Sequence, residues 1–135
     1  MKTLLMEEDI EGIRKNPYSV EWHSFCMDCT LSEDFIREFQ NKVNWCYISY
    51  YQKLSENFIR EFQHNVFWNY VSLNQRLSED FIIEFQDKVC WQHISGHQKL
   101  SKEFIIEFIY KIYLNRVIYN DNITQEVKDY CRMFI

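Results

Sequence analysis

The sequence contains very little glycine or proline, with two glycines and one proline among 135 residues. An all-β sandwich needs turn residues about every 8–12 positions, so this scarcity favours helices joined by tight connections. Long apolar runs are also absent, since no stretch approaches the roughly 18 apolar residues of a membrane-spanning helix. The N-terminal MKTLLMEEDIEG lacks the apolar core of a signal peptide. We therefore expect no membrane partner.

Positive charge is in short supply, because 15 Lys and Arg face 20 Asp and Glu, for a net charge of −5. Binding to nucleic acid needs a basic stripe, so we expect no nucleic-acid partner. The hydrophobic content of 47% and the aromatic content of 18% argue against disorder. Without a recognisable secretion signal, the five cysteines predict reduced thiols in an intracellular compartment.

What the chain has in abundance is one repeated phrase. The segment LSEDFIREFQNKVNWCYISYYQK at 31–53 returns at 54–76 and 77–99, and in weaker form at 100–122, with a period of 23 residues and no insertions. A unit this short cannot bury its own apolar face, so neighbouring units must stack. We therefore predict an all-α fold, a short α-solenoid of 23-residue αα-hairpin repeats with terminal capping helices. It would form a single repeat domain over 1–135.

The first half of each repeat predicts a helix, called helix A below. Ser32 is a favourable N-cap, and Glu33 places negative charge in the first turn, where the helix dipole favours it. Leu31 and Ile36 occupy the hydrophobic-staple positions. Apolar residues continue at helical spacing, which predicts helix A over about 33–43.

The second half predicts a shorter helix, helix B, over about 45–52, with Asn44 as its N-cap and with Ile48, Ser49 and Gln52 on the inward side. Bulky aromatic residues recur at fixed positions, so each unit would stack similar rings on the next. These columns are Phe35, Phe58, Phe81 and Phe104; Phe39, Phe62, Phe85 and Phe108; and Trp22, Trp45, Trp68 and Trp91, followed by Leu114. They predict the core, and an aromatic ligand box is the alternative.

A column of glutamates lies at the edge of the apolar face, and lysines follow three of them at i+4. This order favours ion pairing along a helix, so we predict solvated edge pairs, with a cation site as the alternative. The glutamates are Glu38, Glu61, Glu84 and Glu107, and the lysines are Lys42, Lys88 and Lys111.

The N-terminal end departs from the repeat, as a terminal cap does. Residues 1–30 are interpreted as a degenerate N-terminal capping repeat. One helix is predicted over about 4–15. Asn16 would then act as an N-cap with Pro17 at N1, opening a longer helix that ends near Asp28.

At the other end, residues 123–135 predict a C-terminal capping helix over about 125–134, with Thr124 as its N-cap. Its apolar face could cover the open end of the stack. That face consists of Val127, Tyr130, Cys131 and Phe134.

The C-terminal half also carries more apolar surface than the N-terminal half. Outward polar positions of helix A become isoleucine in later copies: Arg37 and Arg60 give way to Ile83 and Ile106, and Gln40 to Ile109. We expect the last helix to cover this surface. Otherwise it is a patch for self-association or for a partner.

Helix B varies between copies, whereas helix A is nearly invariant. Its variable positions point away from the predicted core, and a surface rich in Tyr, with His and Arg, is typical of a binding face. Drift of exposed positions after duplication is the competing explanation. The candidate interaction residues are Tyr47, Tyr50, Tyr51, Tyr70, Leu73, His93, His97, Arg116 and Tyr119.

Metal and catalytic chemistry find little support in the sequence. His23, Cys26 and Cys29 are ligand types at close spacing, and His93 and His97 stand at i and i+4, but a zinc site needs four ligands and no second matching pair follows. The chain has no glycine-rich phosphate loop and no nucleophile elbow. We therefore predict no enzyme, no cofactor and no metal site.

The words LSEDFIREFQ, VNW, IS and YQK resemble a tandem-repeat family found in proteins of giant DNA viruses and some other large-genome viruses. The resemblance covers about residues 31–111 closely and carries no activity to transfer. It implies an intracellular, virus-encoded repeat protein in the host cytoplasm that acts on host or viral proteins. Departures from the pattern are Phe67 and Cys90 at the helix B cap and Leu114 in the tryptophan column.

These features predict a non-enzymatic repeat scaffold for protein–protein interaction, and the resemblance suggests a virus–host setting. The alternative is a structural module that self-associates through the C-terminal apolar surface. The identity of the protein partner and the choice between monomer and homodimer stay open at the level of sequence.

Overall fold

The structure, a computed structural model, describes residues 2–135. The chain divides into two compact units, one ending at Phe67 and the other running from Trp68 to Ile135. Helices recur in the order of the sequence repeats, so the predicted all-α helical repeat fold is confirmed. The first unit contains β1 Thr3–Leu4, α1 Glu7–Lys15, a 3₁₀ helix at Pro17–Ser19, α2 Trp22–Asp28, β2 Cys29–Thr30, α3 Glu33–Glu38, α4 Trp45–Tyr51 and α5 Glu56–Glu61. The second contains α6 Trp68–Asn74, α7 Glu79–Glu84, α8 Trp91–His97, α9 Lys102–Glu107, α10 Leu114–Val117 and α11 Gln125–Arg132.

Helix A begins where the sequence predicts but ends early. The Ser32 hydroxyl accepts a hydrogen bond from the Phe35 N–H at 3.0 Å and caps α3, and the equivalent serines cap α5, α7 and α9. The helix then ends at Glu38, so the predicted extension to Val43 is wrong.

Two hydrogen bonds with other partners replace a backbone hydrogen bond that a longer helix A would make. In a continued helix, the Gln40 carbonyl would accept from the Asn44 N–H. Instead, the indole N–H of Trp45 donates to the Gln40 carbonyl at 3.0 Å, and the Asn44 N–H donates to the Cys26 sulfur. Helix B therefore starts as a separate element, where the Asn44 side chain accepts from the Tyr47 N–H at 3.1 Å. Cys90, at the equivalent cap of α8, makes no such side-chain bond.

The aromatic columns form the core within each unit, as predicted. In the first unit the Trp45 ring centroid lies 5.0 Å from that of Phe62 in the following repeat. In the second unit Trp68 and Phe85 are also 5.0 Å apart. The indoles are half-buried, while the phenylalanines against which they pack are buried. Ring contacts between consecutive repeats thus provide much of the apolar packing.

A ladder of buried polar side chains also joins consecutive repeats. The amide nitrogen of Gln52 donates to the carbonyls of Cys26 and Cys29, both at 2.7 Å, and its oxygen accepts from the Leu31 N–H at 2.9 Å. Gln98 makes the equivalent bonds in the second unit. Because a buried polar group is costly unless it is hydrogen-bonded, this ladder fixes the register between repeats.

Buried serines add a second link between successive B helices. The Ser95 hydroxyl donates to the Trp91 carbonyl at 2.7 Å and accepts from the Tyr113 N–H at 2.9 Å. Cys26 occupies the same position in the first unit, where its sulfur accepts from the Asn44 N–H. The serine column therefore anchors the start of each following helix B.

The N-terminal prediction needs two corrections. Strands β1 and β2 form a small parallel sheet that the sequence did not predict, and α1 consequently starts at Glu7 rather than near Leu4. The predicted long helix opening at Pro17 is also wrong, because a 3₁₀ turn ends at Ser19 and α2 starts at Trp22. The Trp22 indole donates to the Pro17 carbonyl at 3.1 Å, in place of the backbone N–H of a continuous helix.

The C-terminal capping helix is present as α11, slightly shorter than predicted. Thr124 lies at its N-cap position but makes no side-chain cap bond. Asn120 falls in the repeat register of the outward residues Tyr51 and His97, yet it is fully buried. Its amide donates to the carbonyls of Ser95 and Gln98 at 2.9 and 2.8 Å, so it takes the role of the ladder glutamine in the last repeat.

Arg14 and Arg37 pair with Glu11 and Asp34 of their own helices, and further ion pairs connect successive segments of the first unit. Those pairs are Arg14–Glu38 at 2.6 Å and Arg37–Glu61 at 2.8 Å. Neither Lys42 nor Lys111 pairs with the glutamate four residues before it, in contrast to the prediction. The Lys42 ammonium lies 4.0 Å from the Tyr18 ring centroid, and that of Lys111 donates to Gln86. Because helix A ends at the glutamate, the lysine is no longer one helical turn away.

Candidate functional site

The outward side of α4 carries three tyrosines in the first unit. Tyr50 and Tyr51 are exposed and Tyr47 is half-buried. Their ring centroids form a chain of edge contacts, 5.7 Å from Tyr47 to Tyr51 and 4.7 Å from Tyr51 to Tyr50. His23 of α2 extends the chain, with its ring 5.7 Å from that of Tyr47. These four side chains are called the tyrosine row below.

The sequence did not predict two residues that contact these tyrosines. His23 was considered only as a metal ligand, although it stands one repeat before Cys46 and its neighbour Tyr47. Lys2 donates a hydrogen bond to the Tyr51 carbonyl, and its ammonium lies 5.6 Å from the Tyr51 ring centroid. Burial lowers the pKa of Lys2. Lys2 thus contacts the middle of the row, and His23 forms one of its ends.

The second unit places other candidate residues around α8. Tyr70, Leu73 and His93 are half-buried, whereas His97 is exposed. The rings of His93 and His97 lie 6.0 Å apart. Tyr119, beyond α10, is 81% exposed. The outward face of helix B is therefore available on the described surface, but it is less aromatic around α8 than around α4.

Arg116 of α10 completes a group of three basic side chains with His93 and His97. The Cβ of Arg116 lies 3.8 Å from where a Cβ on Gly96 would stand, so α10 approaches α8 at this glycine. Burial and the nearby His97 and Arg116 charges lower the pKa of His93. We call these three side chains the basic cluster.

The C-terminal apolar surface is open. Ile106 is 47% exposed and Ile109 is 36% exposed, so the expectation that the last helix covers them is wrong. That helix packs against α10 instead, and its Tyr130 ring lies 4.1 Å from the Lys102 ammonium. Tyr110 next to Ile109 is fully exposed. The isoleucines that replace polar residues of the earlier repeats therefore create an apolar patch.

The suspected metal ligands do not converge. Cys26 is buried in the serine column, Cys29 lies in β2, and the exposed His23 ring lies 3.5 Å from Glu21. Over residues 2–135, no group of three or more His, Cys, Asp or Glu is arranged to hold a metal ion. Burial raises the pKa of the Cys26 thiol and that of the Cys131 thiol.

Comparisons with protein-family models, with curated proteins and with solved structures found no match. Among the helices of the described part of the chain, none is long and apolar enough to cross a membrane.

Proposed function

We propose that this protein is a non-enzymatic repeat scaffold that binds a protein partner through the outward side of helix B, with the tyrosine row as its main contact. The observation that supports this proposal is the chain of ring contacts from His23 through Tyr47 and Tyr51 to Tyr50. Tyrosine provides a large amphipathic contact area at low cost in side-chain entropy, and it is enriched at binding hot spots. Rings that already support one another lose less freedom when a partner packs on them.

The repeat core explains why such a face can diversify. Stacking uses the inward residues of helix B, which are buried, while Tyr50 and Tyr51 are exposed. Outward residues can therefore change without loss of the fold. The sequence resemblance suggests a virus-encoded protein, for which the partner would be a host or viral protein in the host cytoplasm.

Affinity capture with a matched pair of variants tests this proposal. In the first variant, Tyr47, Tyr50 and Tyr51 are replaced by serine. The control replaces Tyr18 and Tyr110, two exposed tyrosines outside the row. We expect the affinity of the row variant for a captured protein to fall by about thirtyfold, as removal of a hot spot of about 2 kcal/mol would give, with the control unchanged. Circular dichroism checks that both variants fold, and equal capture by all three proteins would sink the proposed face.

A second candidate function is self-association through the apolar patch at Ile106 and Ile109. The exposure of both side chains favours it, since contiguous exposed apolar surface often marks an interface. Multi-angle light scattering at rising protein concentration would detect it. The variant I106R/I109Q restores residue types that earlier repeats carry and should dissociate any dimer. A clean monomer at high concentration would count against this candidate.

A further inference from the structure

The basic cluster lacks the acidic partners that other basic residues of the chain have. Arg14, Arg37 and Arg132 each bond to a carboxylate. By contrast, within residues 2–135 the side chains of Arg116, His93 and His97 make no hydrogen bond and no salt bridge. Three groups that can carry positive charge therefore lie close together, and no carboxylate neutralises them. The chain as a whole has a net charge of −5.

The two helices packed against α8 supply no compensating charge. Asp121 lies beside Asn122, whose side chain donates to the His97 carbonyl, but within residues 2–135 it forms no ion pair with the cluster. Helix α8 packs against α6 and α10. Among the residues of α6, only Tyr70 is titratable, and in α10 the only charged residue is Arg116. Like charges at close range disfavour one another, so this arrangement costs free energy when the histidines are protonated. An anion bound between them would remove that cost.

Gly96 brings the stem of Arg116 close to the two histidines. Gly96 lies between the two histidines on the outward side of α8, where the equivalent residues are Tyr50 and Leu73. A Cβ built on Gly96 would meet only the Arg116 Cβ within 4 Å, at 3.8 Å. No side chain at position 96 therefore separates the groups of the basic cluster, whereas Tyr50 and Leu73 occupy this position in the earlier repeats.

We propose that His93, His97 and Arg116, grouped around Gly96, which has no side chain, bind the carboxylates of an acidic segment on the protein partner. This inference rests on the proposed scaffold role. It gives the second unit of the protein a preference for acidic segments. Complementary charge would orient the partner and increase its association rate. A carboxylate favours the protonated form of an imidazole, so binding should strengthen as the pH falls. Since the pKa of His93 already lies below its usual value of about 6.5, that strengthening should extend to mildly acidic pH.

Fluorescence anisotropy with a labelled oligoglutamate peptide tests the inference, with oligoglutamine of equal length as the neutral probe. We expect wild-type protein to bind oligoglutamate, and to bind it about fivefold or more tightly at about pH 5.5 than at about pH 8. Because the whole chain also becomes less negative on acidification, variants must show where the effect arises. Equal binding of the two peptides would overturn the proposal.

The four histidines of the chain allow a matched comparison. H93Q/H97Q should abolish the pH dependence, whereas H64Q, which removes the one histidine of the sequence outside both the tyrosine row and the basic cluster, should keep it. G96L alters no charge and introduces the residue of the preceding repeat, so weaker binding by this variant would show that the open position is used. If H93Q/H97Q and G96L both bind as wild type does, the proposal fails.

Two further probes separate this inference from its alternatives. A variant with Tyr47, Tyr50 and Tyr51 replaced by serine should still bind oligoglutamate, so the tyrosine row and the basic cluster can fail independently. Loss of oligoglutamate binding in that variant would overturn the assignment to the basic cluster. Binding of a phosphoserine peptide, or competition by inorganic phosphate, without oligoglutamate binding would also overturn it in favour of a phosphate site.

Discussion

The side-chain amide of Gln98 donates to the backbone carbonyl of Ser72, 26 residues earlier, at 2.8 Å. The same amide also bonds to the Gln75 carbonyl, and its oxygen accepts from the Leu77 N–H. One side chain thus satisfies three buried backbone groups that helices of this length leave unpaired at their ends. Such a residue ties two repeats together in a way that apolar packing alone does not.

Replacing Gln98 by leucine should destabilise the fold strongly. The change leaves two carbonyls and one N–H in the core without a hydrogen-bond partner, and each buried unsatisfied group costs about 1–3 kcal/mol. We therefore expect a loss of about 3 kcal/mol or more in the free energy of unfolding, measured by urea denaturation with tryptophan fluorescence. Gln92→Leu makes the same substitution at an exposed site of α8 and should change stability by less than about 0.5 kcal/mol. Similar losses for both variants would contradict the role given to the ladder.

The repeat phrase predicted the fold because its information is local and periodic. Ser32 and Asn44 start their helices where the capping rules place them, and the phenylalanine columns are buried. The early end of helix A could not be predicted in this way. It depends on the Trp45 indole reaching the Gln40 carbonyl, a contact that exists only once the two helices are folded against each other.

In the last repeat, the 23-residue alignment predicts the wrong residue for the ladder position. Alignment placed Asn120 with Tyr51 and other outward residues, and Asp121 in the ladder column. The structure buries Asn120 because the short α10 shifts the backbone, so the neutral amide reaches the ladder position. The residues of the basic cluster are likewise visible in the sequence. Their lack of acidic partners, however, depends on how the helices pack.

Two capping positions that look equivalent in sequence should differ in their energetics. The Ser101 hydroxyl caps α9 by accepting from the Phe104 N–H at 3.1 Å, and both the N–H and the hydroxyl of Ser101 donate to the Glu79 carboxylate. Thr124 makes no side-chain cap bond to α11. We expect Ser101→Ala to cost about 1–2 kcal/mol and Thr124→Ala less than about 0.5 kcal/mol in thermal or urea unfolding. A larger loss at Thr124 would show that α11 is capped in solution.

Two buried cysteines should respond differently to replacement by serine. Cys26 stands in the serine column, where a hydroxyl could accept from the Asn44 N–H and also donate to the Trp22 carbonyl, as Ser95 does to that of Trp91. Cys26→Ser should therefore be neutral or slightly stabilising. Cys131 is equally buried in α11, without such a backbone donor, so Cys131→Ser should cost about 1 kcal/mol or more. Urea unfolding of both variants measures the contrast, and a reversed order would contradict the serine-column interpretation.

The ion pair between Arg14 and Glu38 should be visible in the titration of one carboxyl. Hydrogen bonds and charge from Arg14 lower the pKa of Glu38 below its usual value. The folded state thus favours the carboxylate, so the pair stabilises the fold above the usual glutamate pKa of about 4.3, and this contribution disappears as the pH falls through the folded-state value.

Carboxyl-carbon NMR of labelled glutamate follows that titration directly. In Arg14→Gln, the pKa of Glu38 should rise towards its usual value, and the stability of the variant should decline less between neutral and acidic pH than that of wild type. Arg132→Gln removes an arginine that pairs with Asp129 in the other unit and should leave the Glu38 titration unchanged. If Glu38 titrates alike in wild type and Arg14→Gln, the contact between α1 and α3 does not persist in solution. The N-terminal capping repeat would then be held mainly by β1 and by the packing of Trp22 on Phe39, whose ring centroids are 5.5 Å apart.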